Sequence, residues 1–198
     1  SILSSMAFHA HMPIDVIYRE GITRLTAEDF EAAELLGYEI KLLAIGKKSG
    51  NAIEVRVHPT MVPKAHPLAS VRGVFNAIFL TGHAVGDVML YGRGAGCMPT
   101  ASAVMSDVIY ACHATGRHRY MTFRNDAALS NEVELVRDFA CVYCIRLSVA
   151  DAPGTMAAIA AVFAGHGVSL KDVLQLGERV GGSSHITFMT HTAHELSV

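Results

Sequence analysis

A glycine-rich loop carries the clearest chemical signal in this sequence. Within Tyr91–Thr100 three glycines stand at every second position, and a segment typical of a helix follows. Glycines let a backbone approach a ligand closely, and the start of a helix offers unpaired N–H groups and a positive dipole end. Phosphate, carboxylate or a nicotinamide carboxamide could be held there. The GxGxG spacing differs from the GxGxxG fingerprint of dinucleotide-binding folds, so a tight turn without a ligand explains the glycines equally well.

Cysteine and histidine spacing gives little support for a metal or redox centre. Cys141 and Cys144 form a CxxC pair within a segment rich in β-forming residues, and residues three apart on a strand point to opposite faces. A second CxxC is absent from the sequence, and because no secretory signal is present the four cysteines are expected to be reduced thiols. None of the 11 histidines stands with Asp, Glu or Cys at a recognised ligand spacing, so no metal is expected.

Composition excludes several classes of protein. The chain has 198 residues, of which 51% are hydrophobic and 17% are charged. Intrinsically disordered proteins are less hydrophobic, and coiled coils are richer in Glu, Lys and Arg. The net charge of -2 is spread without blocks, so no nucleic-acid partner is expected. No run of about 18 apolar residues is free of both charges and His, so we expect a soluble globular protein with no membrane partner.

The glycine loop must be positioned by an N-terminal unit of strands and helices. Thr26–Asp29 resembles a capping box that starts a helix, and Gly37 fits the left-handed position after its end. Pro99 suits the first turn of the helix that follows the loop. The predicted elements are a helix to about His9, a strand over Ile14–Ile22, a helix to Leu36, strands over Glu39–Lys47, Ala52–Pro59, Val74–Thr81 and Asp87–Tyr91, and a helix over Thr100–His113.

A second unit begins near Val133, after a polar segment over 117–132 that we interpret as a linker. Its predicted order is strand, helix, strand, strand. The ranges are Cys141–Val149, Thr155–His166, Val168–Glu178 and Ser184–His191, with turns at Ala150–Gly154 and Gly181–Gly182. A further helix and strand would complete a ferredoxin-like βαββαβ unit. We therefore predict domains over 1–132 and 133–198, and we expect a fragment truncated at both ends.

Seven blocks of the first unit closely resemble homoserine dehydrogenase. They are Ile2–Phe8, Tyr18–Ile22, Leu36–Leu43, His66–Ala69, Gly73–Ile78, Gly82–Gly86 and Tyr91–Val104, in the order and spacing of the family. The resemblance implies a reversible NAD- or NADP-linked interconversion of L-homoserine and L-aspartate 4-semialdehyde, in threonine and methionine biosynthesis. One position departs from the pattern, because the family usually has Asp where this chain has His83.

The same resemblance assigns part of a cofactor site. It implies that Gly94, Ala95, Gly96 and Thr100 face the nicotinamide end of NADP or NAD. In the family, a nucleotide-binding domain that binds most of the cofactor precedes the matched region. The catalytic lysine and the acidic ligands of the substrate ammonium group also fall before residue 1. No catalytic residue is therefore assigned here, and we expect the chain alone to be inactive.

The second unit resembles an ACT domain through Asp151–Gly154, Val168–Leu170 and Thr190–His191. This resemblance implies a sensor for a small amino acid, with threonine as the end-product inhibitor. Asp151 and Gly154 are the implied effector residues, because their turn leads into a helix N-terminus that can bind a carboxylate. ACT units commonly pair, so a homodimer or homotetramer is expected. In an alternative interpretation, the chain is a non-catalytic amino-acid-sensing or dimerisation module.

These features together predict an α+β fold. A mixed-sheet catalytic and dimerisation domain, with helices on one face, precedes an incomplete ferredoxin-like βαββ ACT domain. The expected partners are a small-molecule substrate, an amino-acid effector and further copies of the chain. Because the sequence begins without a secretory signal, the expected location is the cytoplasm.

Overall fold

The computed structural model describes residues 2–113, 133–180 and 183–198, the side chains of 176–180 and 183 excepted. The predicted linker over 117–132 and the predicted turn at Gly181–Gly182 both lie wholly outside the described residues. The chain forms two compact units, one from residues 1–61 with 130–198 and the other from residues 62–129. The two units are defined by contacts between residues and do not test the predicted domains. The domain boundary between residues 132 and 133 therefore stays a prediction.

The described residues contain both helices and strands, which confirms the predicted α+β class. The helices are α1 (Ile2–Phe8), α2 (Ala27–Leu35), α3 (Cys97–His113) and α4 (Thr155–Gly165). The strands are β1 (Tyr18–Arg19), β2 (Tyr38–Ser49), β3 (Ala52–Pro63), β4 (Phe75–Gly82), β5 (Gly86–Arg93), β6 (Glu134–Val136), β7 (Ala140–Cys141), β8 (Cys144–Ala150), β9 (Leu170–Val180), β10 (Ser183–Thr190) and β11 (Ala193–His194). Short 3-10 turns cover Ile14–Val16, Pro67–Ser70 and Glu195–Ser197.

Strand β3 organises a four-stranded mixed sheet. It pairs in parallel with β1, where Tyr18 is opposite Arg56, and in parallel with β6, where Ala52 is opposite Glu134. Strand β2 also pairs with β3, after a tight turn in which Gly50 has a φ of +58°. A turn this short joins antiparallel strands, so the sheet is mixed, as predicted.

A small apolar core anchors α1 to this sheet. Ile53 of β3 is buried together with Ala10 and Met12. Phe8, the last residue of α1, and Leu135 of β6 pack against these three side chains. Burial of apolar surface is the main favourable contribution to folding, so the cluster holds the N-terminal helix and β6 on the same sheet.

Helix α2 begins and ends where the sequence predicts. The Thr26 backbone N–H donates to Asp29 Oδ2 at 2.7 Å, and the capping box is formed. After the last helical turn, Gly37 has a φ of +82°, a left-handed geometry that favours glycine. Ala32 and Ala33 are buried, and α2 contacts β2. The helix is therefore fixed at both ends by local signals and at its centre by packing.

The unit of residues 62–129 contains an antiparallel hairpin and a helix. Strands β4 and β5 pair along their whole length, ending with Gly82 opposite Gly86. Gly86 has a φ of +72° and closes the turn. Helix α3 starts at Cys97 rather than at the predicted Thr100, which places Pro99 within its first turn. The two predicted strands and the helix on either side of the glycine loop are confirmed.

The C-terminal strands form the predicted strand, helix, strand, strand arrangement. The central strand β10 pairs antiparallel with β8 on one side and β9 on the other. Helix α4 packs on one face of this sheet, where the ring centroids of Phe163 and Phe188 lie 5.5 Å apart. Phe188 is fully buried, and Ile186 on the same face is buried beside it. Helix α4 ends at Gly165, one residue before the predicted end at His166, and Gly167 follows with a φ of +70°.

The prediction of one strand over Ile14–Ile22 is wrong. Ile14–Val16 forms a 3-10 turn in which the Ile17 N–H donates to the Ile14 carbonyl at 3.4 Å, and β1 is confined to Tyr18–Arg19. The β-branched residues favour an extended backbone, but only two positions of this segment pair with β3. The length of β1 is therefore determined by its pairing with β3 more than by the β-forming residues of the segment.

The prediction of a continuous strand over Cys141–Val149 is also wrong. Strand β7 ends at Cys141 and pairs with β11, whereas β8 begins at Cys144 and pairs with β10. The chain changes partner at Tyr143, whose N–H donates to Thr190 Oγ1 at 3.0 Å. The two cysteines thus lie on different strands, and the argument from the two faces of one strand does not apply. Both are free thiols in this structure.

Candidate functional site

The glycine loop between β5 and α3 is held by contacts within its own unit. The N–H groups of Gly94 and Ala95 donate to the Val74 carbonyl oxygen, at N–O distances of 3.1 and 3.5 Å. A side chain at position 94 would collide with the amide of Asn76. Packing against Asn76 is therefore sufficient to explain glycine at this position, without any ligand.

Gly96 and Thr100 line an open groove of about 670 Å³ beside the first turns of α3. Gly96 has a φ of +119°, and its carbonyl accepts the Thr100 N–H at 3.1 Å, so the helix starts directly at the loop. The rest of the lining consists of Cys97, Ala101, Val104 and Met105. Of the four predicted cofactor residues, Gly96 and Thr100 reach this groove, whereas Gly94 and Ala95 stand outside its lining.

The groove suits the flat end of a nicotinamide cofactor. Its lining is largely apolar, as the face of an uncharged aromatic ring requires. The first turn of a helix leaves backbone N–H groups without helical partners, and these can donate to a carboxamide oxygen. The hydroxyl of Thr100 adds a second polar group at the same place. These residues could therefore hold the nicotinamide end, but the groove contains no side chain that reads a ribose or a phosphate.

The hairpin that carries the loop is braced by aromatic contacts that sequence reasoning missed. The rings of Phe75 and Tyr91 stack at a centroid distance of 4.8 Å, and the Arg93 guanidinium carbon lies 5.2 Å from the centroid of the Phe75 ring. Cross-strand aromatic and cation–π pairs of this kind stabilise a hairpin. They hold the end of β5 in place, directly before the glycine loop.

His83 is exposed in the turn between β4 and β5. Close to it, Thr81 Oγ1 donates to Asp87 Oδ1 at 2.7 Å across the end of the hairpin. A carboxylate and a hydroxyl thus already close this turn. The histidine that replaces the family's usual aspartate at position 83 therefore lies in an exposed turn, outside the groove along α3.

The predicted effector residues lie in one turn between β8 and α4. Gly154 stands at the N-cap of α4 with a φ of +91°, and Asp151 lies three positions before it. The turn is closed by Thr155, whose hydroxyl donates to the Ala150 carbonyl at 2.9 Å. Asp151 and Gly154 are therefore brought close together at the start of a helix, as the sequence predicts.

A second polar site joins α2 to the face of the β8–β10 sheet that is turned away from α4. Arg146 of β8 lies 3.2 Å from Asp29 and 3.0 Å from Glu28, and it donates to Thr26 Oγ1 at 2.6 Å. His185 of β10 lies 2.6 Å from the same Glu28 carboxylate. The hydrogen bond with His185, more than the charge of Arg146, holds the pKa of Glu28 below its usual value.

Sequence reasoning missed this site because its residues come from distant parts of the chain. A pocket of about 320 Å³ lies beside these contacts and includes Glu20, Arg24, Thr60, Arg146 and Thr187 in its lining. The one available signal was a charged residue inside the otherwise uncharged strand β8. A lone arginine on a strand is usually a solvated residue, so that signal is weak.

The described residues contain no group of three or more His, Cys, Asp and Glu side chains arranged to hold a metal ion. Desolvation, together with a smaller effect of the Asp29 carboxylate, raises the pKa of the Cys144 thiol to about 11. Cys144 therefore stays protonated at neutral pH, which is unlike the thiolate of a redox-active CxxC pair.

Among the helices in the described ranges, none is long and apolar enough to cross a membrane.

Comparison with known proteins assigns the region that contains the glycine loop. The model of the homoserine dehydrogenase family matches residues 1–109, more than half of the chain. The chain belongs to the homoserine dehydrogenase family. The groove along α3 falls within the matched residues. A second model, that of the ACT domain, matches residues 145–198, which include the turn of Asp151 and Gly154.

Curated homoserine dehydrogenases resemble the chain over nearly its whole length. The protein from Corynebacterium glutamicum is 40% identical over 203 residues, and that from Neisseria gonorrhoeae is 37% identical over 200 residues. Each alignment covers 98% of this chain but 44% and 46%, respectively, of the relative. The chain thus spans slightly less than half the length of these homoserine dehydrogenases.

Solved structures of homoserine dehydrogenases share the fold. The enzyme from Thiobacillus denitrificans matches with a TM-score of 0.83 and 37% identity, covering 99% of this chain and 45% of that one. A structure of the S. aureus homoserine dehydrogenase matches with a TM-score of 0.61 and 25% identity, covering 97% of this chain and 45% of that one. The similarity extends across both the homoserine dehydrogenase region and the ACT region.

Proposed function

We propose that this chain provides part of the catalytic domain, and an ACT regulatory domain, of an enzyme that interconverts L-homoserine and L-aspartate 4-semialdehyde with NAD or NADP. The observation that carries the proposal is the order of two matches along one chain, homoserine dehydrogenase over 1–109 and ACT over 145–198. The homoserine dehydrogenase match falls within the predicted domain over 1–132, and the ACT match falls within the predicted domain over 133–198. The parent enzyme serves amino-acid biosynthesis.

In this proposal the chain positions the cofactor and leaves proton transfer to residues outside it. Gly96 and Thr100 contact the nicotinamide end in the groove beside α3, where the first-turn N–H groups and the Thr100 hydroxyl orient the carboxamide. Gly94 and Ala95 keep the loop in shape through the Val74 carbonyl. When bound, the cofactor accepts or donates a hydride. The side chains of Val104 and Met105 give the groove an apolar surface against which the ring can lie.

The regulatory part of the proposal is amino-acid sensing by the ACT region, with threonine as the effector. The turn of Asp151 and Gly154 opens an 11-residue helix, whose first N–H groups can bind a carboxylate. Calorimetric titration of the chain with L-threonine tests this part. A threonine-dependent heat and an increase in Tm are expected, and their absence at millimolar L-threonine would contradict the proposed effector.

We further propose that the protein acts as a homodimer or homotetramer in the cytoplasm. An apolar face of the β4–β5 hairpin supports self-association, because Ile78, Leu80 and Leu90 share that face and each is about half exposed. Leu80→Glu places a charge on this face and is expected to yield a smaller species in light scattering. An unchanged mass would place the contact between copies elsewhere.

A chimera tests the proposed reaction. The N-terminal half of the C. glutamicum homoserine dehydrogenase, joined ahead of this chain, is expected to reduce NADP or NAD when L-homoserine is added. The 198-residue chain alone is expected to give no such reduction. Thr100→Val in the chimera should raise the KM for the cofactor, whereas Thr192→Val, at an exposed position outside the groove, should not. A folded but inactive chimera would instead favour a non-catalytic sensing or dimerisation module.

A further inference from the structure

The pocket between α2 and the β8–β10 sheet has the dimensions and the charges of a small-molecule site. Its volume is about 320 Å³, at the lower end of the range of about 300–1,000 Å³ typical of ligand pockets. Residues on one side come from the N-terminal part of the chain, including Glu20 and Arg24, and residues on the other side from the ACT region, including Arg146 and Thr187. All of them belong to one compact unit.

The ACT side of the pocket is the sheet face opposite α4. Arg146 and Thr187 are paired positions on β8 and β10, and the next pair along is Ile145 with Phe188. Phe188 contacts Phe163 of α4, so the preceding pair points to the other face because side chains alternate along a strand. Arg146 and Thr187 therefore face α2 and the pocket rather than the buried core of the ACT region.

Arg146 is held in position by the start of α2. Its Nε lies 3.2 Å from Asp29, and its Nη1 contacts Thr26 at 2.6 Å and Glu28 at 3.0 Å. The described residues provide no hydrogen bond to its Nη2, although a guanidinium carries five N–H donors in a fixed fork. One donor group of a firmly positioned arginine thus remains available at the pocket.

Glu20 and Arg24 carry opposite charges on the other side of the pocket and do not pair with each other. Glu20 accepts a hydrogen bond from the Tyr18 hydroxyl at 3.1 Å. Arg24 makes no hydrogen bond or ion pair with any residue in the described ranges, and both side chains are exposed. Together with the Asp29–Arg146 pair, the lining contains two positive and two negative side chains. A ligand that matches it carries one charge of each sign.

We propose that this pocket binds a small zwitterionic α-amino acid. The Arg24 guanidinium, helped by Nη2 of Arg146, receives the α-carboxylate, and the Glu20 carboxylate receives the α-ammonium group. The threonine hydroxyls of Thr60 and Thr187 and the apolar side chain of Leu25 surround the remaining space, which suits a short side chain with both polar and apolar atoms.

This inference rests on the proposed amino-acid regulation and assigns it to a pocket other than the Asp151–Gly154 turn. A ligand in the pocket contacts the ACT sheet and the N-terminal segment at once. Binding there stabilises the arrangement in which α2 lies on the sheet, because a ligand favours the state that binds it. Amino-acid binding would in this way be transmitted to the catalytic part of the chain.

Calorimetric titration of the full 198-residue chain with the common L-amino acids and L-homoserine tests the proposal. Arg24→Ala and Glu20→Gln are each expected to weaken binding of the amino acid that gives heat by about tenfold or more, since each removes a charge-assisted hydrogen bond. Arg19→Ala removes the same charge from the same segment, outside the pocket, and should leave the affinity unchanged. Acetate and ethylamine, which carry one charge each, should not compete at equal concentration.

Each contrary result has a distinct meaning. Binding that survives Arg24→Ala and Glu20→Gln but is lost with Asp151→Asn overturns this site and supports sensing at the turn. Competition by acetate as strong as by the amino acid shows an anion site and overturns the zwitterion. No heat with any amino acid tested overturns both the pocket and the regulatory part of the proposed function. None of these results alters the activity of the chimera, which tests the dehydrogenase assignment separately.

Discussion

Glu28 and His185 lie 2.6 Å apart, between the Glu28 Oε2 and His185 Nδ1 atoms, although 157 positions separate them in the sequence. One belongs to the first turn of α2 and the other to the central strand of the ACT region. Arg146 contacts the same carboxylate at 3.0 Å, so Glu28 connects two strands of the sheet to one helix. This contact joins the regions matched by two different families within one compact unit.

The Glu28 contact predicts a dependence of stability on acidic pH. Hydrogen bonding to His185 lowers the pKa of Glu28 from its usual value of 4.5. A carboxyl whose pKa is lower in the folded state contributes stability above pH 4.5, and this contribution is lost as the pH falls through the folded pKa. Glu28→Gln should therefore flatten the decrease of Tm below about pH 4.5. Thermal melts followed by circular dichroism measure this, with Glu31→Gln on the same helix as the control. Parallel curves for the original chain and Glu28→Gln would contradict the prediction.

The capping box predicts the effect of changing Thr26. Thr26→Ala should lower the free energy of unfolding by about 1 kcal/mol, the usual cost of losing an N-cap side chain. The same change removes the Thr26 hydroxyl that accepts a hydrogen bond from Arg146 at 2.6 Å. Thr26→Ser keeps the hydroxyl and should retain most of the stability. Urea unfolding gives both values, and equal losses for Ala and Ser would show that the hydroxyl is not responsible.

Gly94 should tolerate no side chain while Asn76 is present. Gly94→Ala brings Cβ into the Asn76 amide, and such overpacking costs about 1–3 kcal/mol of stability. Gly92→Ala is the matched control, because a Cβ there meets nothing within 4 Å. Asn76→Ala should recover part of the loss when combined with Gly94→Ala. Urea unfolding of the four variants measures the coupling, and simple additivity of the two single changes would refute the collision.

Phe188 should be the most sensitive position of the ACT sheet. Its side chain is fully buried and contacts Phe163 of α4. Phe188→Ala should cost about 3–5 kcal/mol, from lost apolar burial and the cavity left behind. Val173→Ala on the neighbouring strand, where the side chain is 47% exposed, should cost much less. A comparable loss of Tm in the two variants would place the core of this region elsewhere.

Local signals in the sequence predicted the parts of the fold that local physics controls. The capping box at Thr26 and the left-handed Gly37 each act within a few residues, and both are confirmed. The strands over Ile14–Ile22 and Cys141–Val149 failed because their lengths depend on partners far away in the chain. Tyr143, for example, bonds to Thr190, which no local pattern around Tyr143 reveals.

The candidate sites also differ in whether local sequence or distant partners determine them. Gly96 and Thr100 are four residues apart at the start of one helix, so a sequence motif finds both, although their role as cofactor ligands stays a prediction. The amino-acid pocket combines Glu20 and Arg24 with Arg146 and Thr187. Only the packing of α2 on the ACT sheet brings these side chains together. Its residues follow no spacing rule, and a charged side chain on a strand is ambiguous by itself.

The parallel pairing of β6 with β3 has a consequence for exchanging the two parts of this protein between relatives. Glu134–Val136 forms β6, which lies beyond position 132 but adds an edge to the sheet built by the N-terminal part. A recombination breakpoint at 132 would replace β6 with the corresponding strand of the donor protein. That strand would then have to pair with a β3 of different sequence. A breakpoint after Val136 keeps the sheet intact. Hybrid enzymes joined there should preserve the catalytic part while acquiring the effector response of another regulatory domain.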